Sequence, residues 1–325
     1  MKTLIFTGDS HTCGEYAEGY SASDISLGYD PKGLGVCRSI PLDACGYTSL
    51  VHKYLCKATA SSVIELNAAQ IASAYKLDVF QDNAVVSNSI TLQSDCDCIQ
   101  IMLGVTQVPT EIRVLIDGEE QKFSLYTPHP RYGKWSFKWL SFNCNKLTLI
   151  PRDEAYISFV RYCSGEWTCI NSGVGSCTSE YFAQSFIPYN VEPFKADVII
   201  AEAHTINDWL SGCTPNQYYG RLISLLNKLK DHTEMLYLMT VSPILGEQAL
   251  PFNQYDYSLF VKASRDAAVR CNVPIIDANK AIENILSGLD DKARQSYYHD
   301  NWHLKNEGHR VYADAIINEL NKIII

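Results

Sequence analysis

The chain has 325 residues, more than most single hydrophobic cores hold and enough for two domains. Hydrophobic residues make up 46% and charged residues 19%, the balance of a folded globular protein. A net charge of −9 with no Lys/Arg run argues against nucleic acid as a partner and against an anionic membrane surface. No stretch approaches the ~20 apolar residues of a membrane span. In "MKTLIFTG" the apolar run Leu4–Phe6 is too short for a signal-peptide core. The default expectation is therefore a cytoplasmic protein; a phage-associated protein, or one exported with a leader outside this sequence, would look the same. The 12 cysteines are scattered, with Cys96-Asp-Cys98 the close pair and no CxxC. A zinc ribbon or thioredoxin-like motif is disfavoured, and the cysteines read as small apolar residues, isolated disulfides being left open. The oligomeric state is not legible.

In chain order, "TLIFTG" is a short buried strand that runs directly into Asp9-Ser10. A Gly-rich loop follows in "GYDPKGLGVC", then a helix over "YTSLVHKYLCKA", where Leu50, Val51, Tyr54 and Leu55 recur at helical spacing. Residues 60–162 read as short strands without a convincing helix: "SVIEL", "CIQIMLG", "EIRVLIDG", "KFSLYT", "KWSFKWLSF", "KLTLIP" and "AYISFVRY". Asp117-Gly118 marks a hairpin. Many short strands over about 100 residues suggest a β-sandwich of jelly-roll type. From residue 165 to 325 strand and helix alternate: "WTCINSG", "TSEYFAQSF", "ADVIIAEA", "NQYYGRLISLLNKLK", "EMLYLMTV", "YSLFVKASRDAAVRC", "VPIIDA", "KAIENILSG" and "NEGHRVYADAIINELNKI". Alternating βα units imply a parallel sheet with helices on both faces. The expected fold is thus α/β, a three-layer parallel sheet built from 1–58 and 165–325, interrupted by an inserted all-β sandwich over 60–162.

In such sheets ligands bind beyond the carboxyl ends of the strands. Four segments reach that edge: "TGDSHT", "NSGVGSCTS", "EAHTINDW" and "HDNWHLKNEGH". Ser10 follows the first strand and is a nucleophile if a base adjoins it, or a helix cap if none does. His303 is a candidate base, or a polar residue at a helix end. Asp300, three residues before it, can reach its Nδ1–H and set the tautomer. Asn306 can cap the next helix and fix that loop. Asn207 can donate to an oxyanion or cap a helix, and backbone N–H groups at Ser10 and in the Gly175-Ser176 turn are further oxyanion donors. Gly173/Gly175 lack the third glycine of a dinucleotide fingerprint. His299 and His303 lie four apart but have no partner set for a metal, so no metal or other cofactor is expected.

The order of these four segments resembles that of an SGNH (GDSL-type) hydrolase. "FTGDSHTCG" is similar to the family's first block, "INSGVGSCTS" to its second, "TINDW" to its third and "DNWHLKNEGHRVYADAI" to its last. The resemblance covers about 1–58 and 165–325. It implies a flavodoxin-like fold, Ser10 as nucleophile, Asp300 and His303 as the rest of the triad, and an oxyanion hole from Ser10, Gly175 or Ser176, and Asn207. Two departures stand out. Thr205 occupies the family's glycine position before the asparagine, and Ser176 aligns with its oxyanion glycine. Members with an added jelly roll resemble carbohydrate esterases and peptidoglycan O-acetylesterases. The implied function is an esterase that removes acetyl groups from a glycan, Tyr132, Trp135, Trp139 and Trp167 being candidate sugar-stacking residues or sandwich core. The alternatives are a lipid esterase or thioesterase, or a glycan-binding protein with a weakened hydrolase domain.

Overall fold

The computed structural model of the chain describes residues 1–18, 44–80, 83–105, 110–126, 136–245 and 253–324. The Gly-rich loop "GYDPKGLGVC", Tyr132 and Trp135 lie outside them. β1 (Lys2–Gly8) carries the apolar run, and its last five residues are buried. The chain turns at once into α1 (Ser10–Cys13), one turn of helix capped by Asp9, whose carboxylate accepts the His11 N–H. The cap that the sequence left open to Ser10 is therefore Asp9, which frees the Ser10 hydroxyl for another partner. α1 stops at Gly14, which adopts the left-handed φ of 81°. α2 (Tyr47–Ala58) follows, with Tyr47, Val51 and Leu55 fully buried along one face.

Two compact units divide the chain. One contains Leu55–Thr168. Its elements are β2 (Ser62–Asn67), α3 (Ala68–Tyr75), β3 (Asp78–Phe80), β4 (Asn83–Val86), β5 (Ile90–Gln93), β6 (Cys98–Val105), β7 (Glu111–Ile116), β8 (Glu119–Ser124), β9 (Ser136–Phe142), β10 (Lys146–Pro151) and β11 (Ala155–Ser164). They form two antiparallel sheets, β5-β10-β7-β8 and β3-β4-β11-β6-β9, with β2 also pairing β11. In β5 and β10 alternate residues are buried, so each presents one face to the core. Leu92, Val114 and Leu149 from the first sheet share one apolar cluster with Ile99, Ile101 and Val160 from the second. The Asp117-Gly118 hairpin joins β7 to β8 with both residues at positive φ, 50° and 89°, the turn that matches strand twist.

α3 corrects the expectation of no helix in this zone. Asn67 and Gln70 make a reciprocal capping box at 3.0 and 2.9 Å, and Ile71 and Ala72 bury one face. The N-x-x-Q signal was present but lay directly behind a strand-like run. Trp139 and Trp167 are 3% and 4% exposed, the first under the Arg161 guanidinium at 4.7 Å. They are core residues and have no open face for a sugar.

The other unit contains Cys169–Ile325 with residues 3–18 and 44–54. Here β12 (Trp167–Gly173), α4 (Ser179–Ser185), α5 (Ile187–Asn190), β13 (Ala196–Glu202), α6 (Thr205–Leu210), α7 (Pro215–Lys230), β14 (Thr233–Met239), α8 (Tyr257–Cys271), β15 (Ile275–Ile276), α9 (Ala278–Leu286), α10 (Asp291–Arg294) and α11 (Asn306–Ile324) succeed one another. The sheet order is β12-β1-β13-β14-β15, with β1/β13, β13/β14 and β14/β15 parallel. Leu4–Phe6 and Ile199–Ala201 are fully buried, as strands covered on both faces must be. The loops after β1, β12 and β13 therefore leave one edge of the sheet. The described cysteines are all free, and among the described residues no helix is long and apolar enough to cross a membrane.

Candidate active site

Ser10 sits at the first position of α1, where the close strand-to-helix turn holds it at the sheet edge. Its Oγ lies 3.1 Å from His303 Nε2. On the far side of the ring, Nδ1 lies 2.7 Å from Asp300 Oδ2. The other Asp300 oxygen accepts the backbone N–H of Trp302 and of His303, at 2.9 and 2.7 Å. The three-residue spacing thus closes a small loop that fixes the carboxylate and the ring together. Partial burial raises the Asp300 carboxyl, but the His303 hydrogen bond and charge, aided by the two backbone N–H groups, bring it down to about 2. Asp300 is ionised through the whole neutral range. The arrangement gives a hydroxyl, an imidazole that can accept its proton, and a carboxylate that steadies the resulting imidazolium.

The oxyanion candidates are placed as follows. Asn207 is the third residue of α6 and is half-buried. Its Nδ2 donates to Asp9 Oδ2 at 2.7 Å, which uses one of two amide protons and holds the group. Gly175 and Ser176 lie in a turn closed by Cys177 N–H donating to Val174 O, 3.2 Å. Ser176 has φ +55°, the left-handed region that glycine adopts without strain. That conformation gives a physical reason for a glycine in the family at the aligned position. Thr205, at the family's other glycine position, is buried and its hydroxyl lies 3.0 Å from that of Tyr218. Asn306 does not cap α11. Its side chain instead accepts the Glu18 N–H at 2.8 Å and donates to the Glu18 carboxylate at 2.9 Å. His299 stacks on Tyr16 with ring centroids 3.9 Å apart, and its backbone N–H donates to His303 O.

Beneath Ser10 lies a buried ionic cluster that the sequence reading missed. Asp9, His11 and Glu202 are at most 1% exposed, with ligand-type atoms within 4.8 Å of one another. His11 Nδ1 donates to Asp9 Oδ1 at 3.1 Å and Nε2 donates to Trp302 O at 2.8 Å. Both ring nitrogens face acceptors, so the ring is an imidazolium. Burial disfavours its charge, but the hydrogen bond and charge of Asp9, the Glu202 charge and the Trp302 carbonyl raise it to about 9. Burial raises Asp9 too, yet its bond to His11 and the His11 and His204 charges pull it well below the usual carboxylate range. Burial and the nearby Asp9 charge push Glu202 up, with His11 opposing. Glu202 Oε2 accepts from Asp9 N, Thr12 N and Thr12 Oγ1. Among the described residues this trio is a group that could hold a metal ion, but its imidazole, bonded as a donor on both nitrogens, has no lone pair to offer. The legible signal was an acidic residue, Glu202, at the end of the buried apolar run Val198–Ala201.

No protein-family model matches the sequence and no curated protein matches it. Solved structures do. A peptidoglycan O-acetylesterase is 13% identical with a TM-score of 0.53, covering 100% of this chain and 91% of that one. LAE5, an α/β hydrolase enzyme from the metagenome of Lake Arreo, Spain, is 13% identical with a TM-score of 0.50, covering 98% and 95%. A weaker likeness is to the acetylxylan esterase Axe2 from Geobacillus stearothermophilus, 15% identical with a TM-score of 0.47. These likenesses are ones of fold, a parallel α/β sheet in a chain that also carries antiparallel sheets. The resemblance to SGNH hydrolases rests on the four sequence blocks.

Proposed function

We propose that the protein is a serine esterase that removes O-acetyl groups from a carbohydrate. The observation that carries this reading is the continuous chain Ser10 Oγ, His303 Nε2, His303 Nδ1 and Asp300 Oδ2, with contacts of 3.1 and 2.7 Å. In the proposed cycle His303 accepts the Ser10 proton as Oγ attacks the ester carbonyl. The tetrahedral oxyanion is met by Asn207 Nδ2 and by backbone N–H groups of Ser10 and of Gly175 or Ser176. His303 returns the proton to the departing sugar oxygen. Water, deprotonated by the same imidazole, then releases acetate from Ser10. No cofactor enters these steps.

The carbohydrate substrate comes from the likeness to a peptidoglycan O-acetylesterase, a fold-level analogy, together with the four matching blocks. The same reading takes residues 60–162 as a sandwich of jelly-roll type inserted into an SGNH domain of 1–58 and 165–325. Two antiparallel sheets around one core support it, with α3 as an addition. Ser10→Ala should abolish acetate release from acetylated glycans, and a serine-directed phosphonate should label Ser10. Turnover at the wild-type rate in a folded Ser10→Ala variant would rule the reading out.

A further inference from the structure

At the Nε2 side of His303, away from the Asp300 contact, stand Glu15 and Tyr16, which none of the four sequence blocks contains. Gly14 ends α1 in the left-handed conformation, and the next residue, Glu15, donates its N–H back to Ser10 O at 3.0 Å. That bond folds Glu15 over the nucleophile. Its Oε2 lies 3.9 Å from His303 Nε2, the nitrogen that also faces Ser10 Oγ. The contact exceeds hydrogen-bond length, so both oxygens retain capacity to accept. Tyr16 is 41% exposed and held at φ +65°. Its ring lies parallel to that of exposed His299, 9° apart at 3.9 Å, and 4.9 Å from the His303 ring. The segment is pinned at both ends: Ala17 N–H donates to Gly14 O, and Glu18 pairs with Asn306 of α11. Rigid, partly exposed rings and a half-buried carboxyl therefore converge on one side of the base.

That side is where an ester's alcohol must leave, because Nε2 has to deliver its proton to the departing oxygen. We propose that Glu15, Tyr16 and His299 form the leaving-group subsite, where the stacked rings meet the C–H face of a pyranose and Glu15 accepts a hydrogen bond from the hydroxyl beside the acetylated oxygen. This rests on the esterase reading above. A fatty alcohol fits these residues poorly, since it would bury the Glu15 carboxyl with no donor to pair it. Burial raises the Glu15 carboxyl, while the His303 and His11 charges oppose that rise.

The test compares kcat/KM for mono-O-acetylated methyl pyranosides with that for methyl acetate, which has neither ring nor hydroxyl. Glu15→Gln, Tyr16→Ala and His299→Ala should each lower the ratio ten- to a hundred-fold, the two ring variants through KM. In parallel, saturation transfer from the Ser10→Ala protein to the same pyranosides should vanish when Tyr16 and His299 are also replaced by alanine. If the ratio stays within twofold and the transfer persists, the subsite is wrong and the esterase stands. If the wild type cleaves neither ester but transfer requires Tyr16 and His299, these residues bind a pyranose, and both the esterase reading and the leaving-group role fall. Absence of both turnover and transfer would defeat the two together.

Discussion

Asp300→Asn is the substitution whose outcome the site geometry specifies most closely. Asp300 Oδ1 is held by two backbone N–H groups, Trp302 at 2.9 Å and His303 at 2.7 Å. An asparagine in this place keeps its amide oxygen there, because only the oxygen can accept both bonds. The NH2 must then stand where Oδ2 stood, 2.7 Å from His303 Nδ1. Two donors cannot face each other, so the ring proton moves to Nε2. Nε2–H then points at Ser10 Oγ, 3.1 Å away, and can no longer accept its proton. The side chain keeps its shape, so the loss is one of tautomer and not of fold. Loss of the tautomer in a triad of this kind costs up to about 10⁴ in kcat, or roughly 5.5 kcal/mol of transition-state stabilisation. The assay is acetate release from a small acetyl ester near neutral pH, with melting temperature and circular dichroism as controls. A folded Asp300→Asn protein within tenfold of wild type would refute the reasoning, because it would mean that Asp300 does not set the His303 proton.

Asn207→Ala should lower kcat by about 10²–10³ with little change in KM, the cost of one oxyanion donor; a change confined to KM would make Asn207 a substrate-binding residue. His11→Ala should leave Asp9 and Glu202 buried without their cation, at a cost of roughly 3–5 kcal/mol, seen as a fall in melting temperature of about 6–20 °C. The His11 pKa, raised to about 9 from 6.5, means its stabilisation is complete below pH 6.5 and is lost as pH rises through 9. Glu202, raised from 4.5 to about 8, contributes a loss that begins near pH 4.5 and is complete near pH 8. Thermal stability should therefore already decline below neutral pH and go on falling towards pH 9, and the part of the decline above pH 8 should disappear in His11→Ala. Gly173→Ala would place a Cβ 2.6 Å from Cys13 N and 2.8 Å from Thr12 Cβ. The α1 backbone must shift, which should cost roughly 1–3 kcal/mol in unfolding experiments and reduce turnover by displacing Ser10.

Much of the α/β fold was legible because strand and helix alternate with distinct periods from Trp167 onward. Ser10, Asp300 and His303, which the order of four segments and a family resemblance singled out, do lie within hydrogen-bond distance in the order Ser10–His303–Asp300, and each has a local constraint. Ser10 follows a strand directly, and Asp300 and His303 lie three residues apart, so each sits at a turn where few conformations are open. What sequence order could not supply was distance across the sheet. Parallel pairing of β1 with β13 sets Glu202 beside Asp9 and Thr12, although some 190 residues separate them. An acidic group at the buried end of a strand reads as an anomaly until its partners are seen, and those are Asp9, His11 and Thr12, just beyond the end of another strand. Likewise Asn306 looked like a helix cap because a cap is its commonest local use. Only the packing of the Gly14–Glu18 turn on α11 shows that it binds Glu18 instead. The same packing brings Glu15 and Tyr16 to His303 and His299. Local residue order determined the strands, most helices and the candidate residues at the sheet edge. The tertiary structure decided the buried Asp9, His11 and Glu202 cluster and the approach of Glu15 and Tyr16 to His303, because both depend on side chains from segments far apart in the chain.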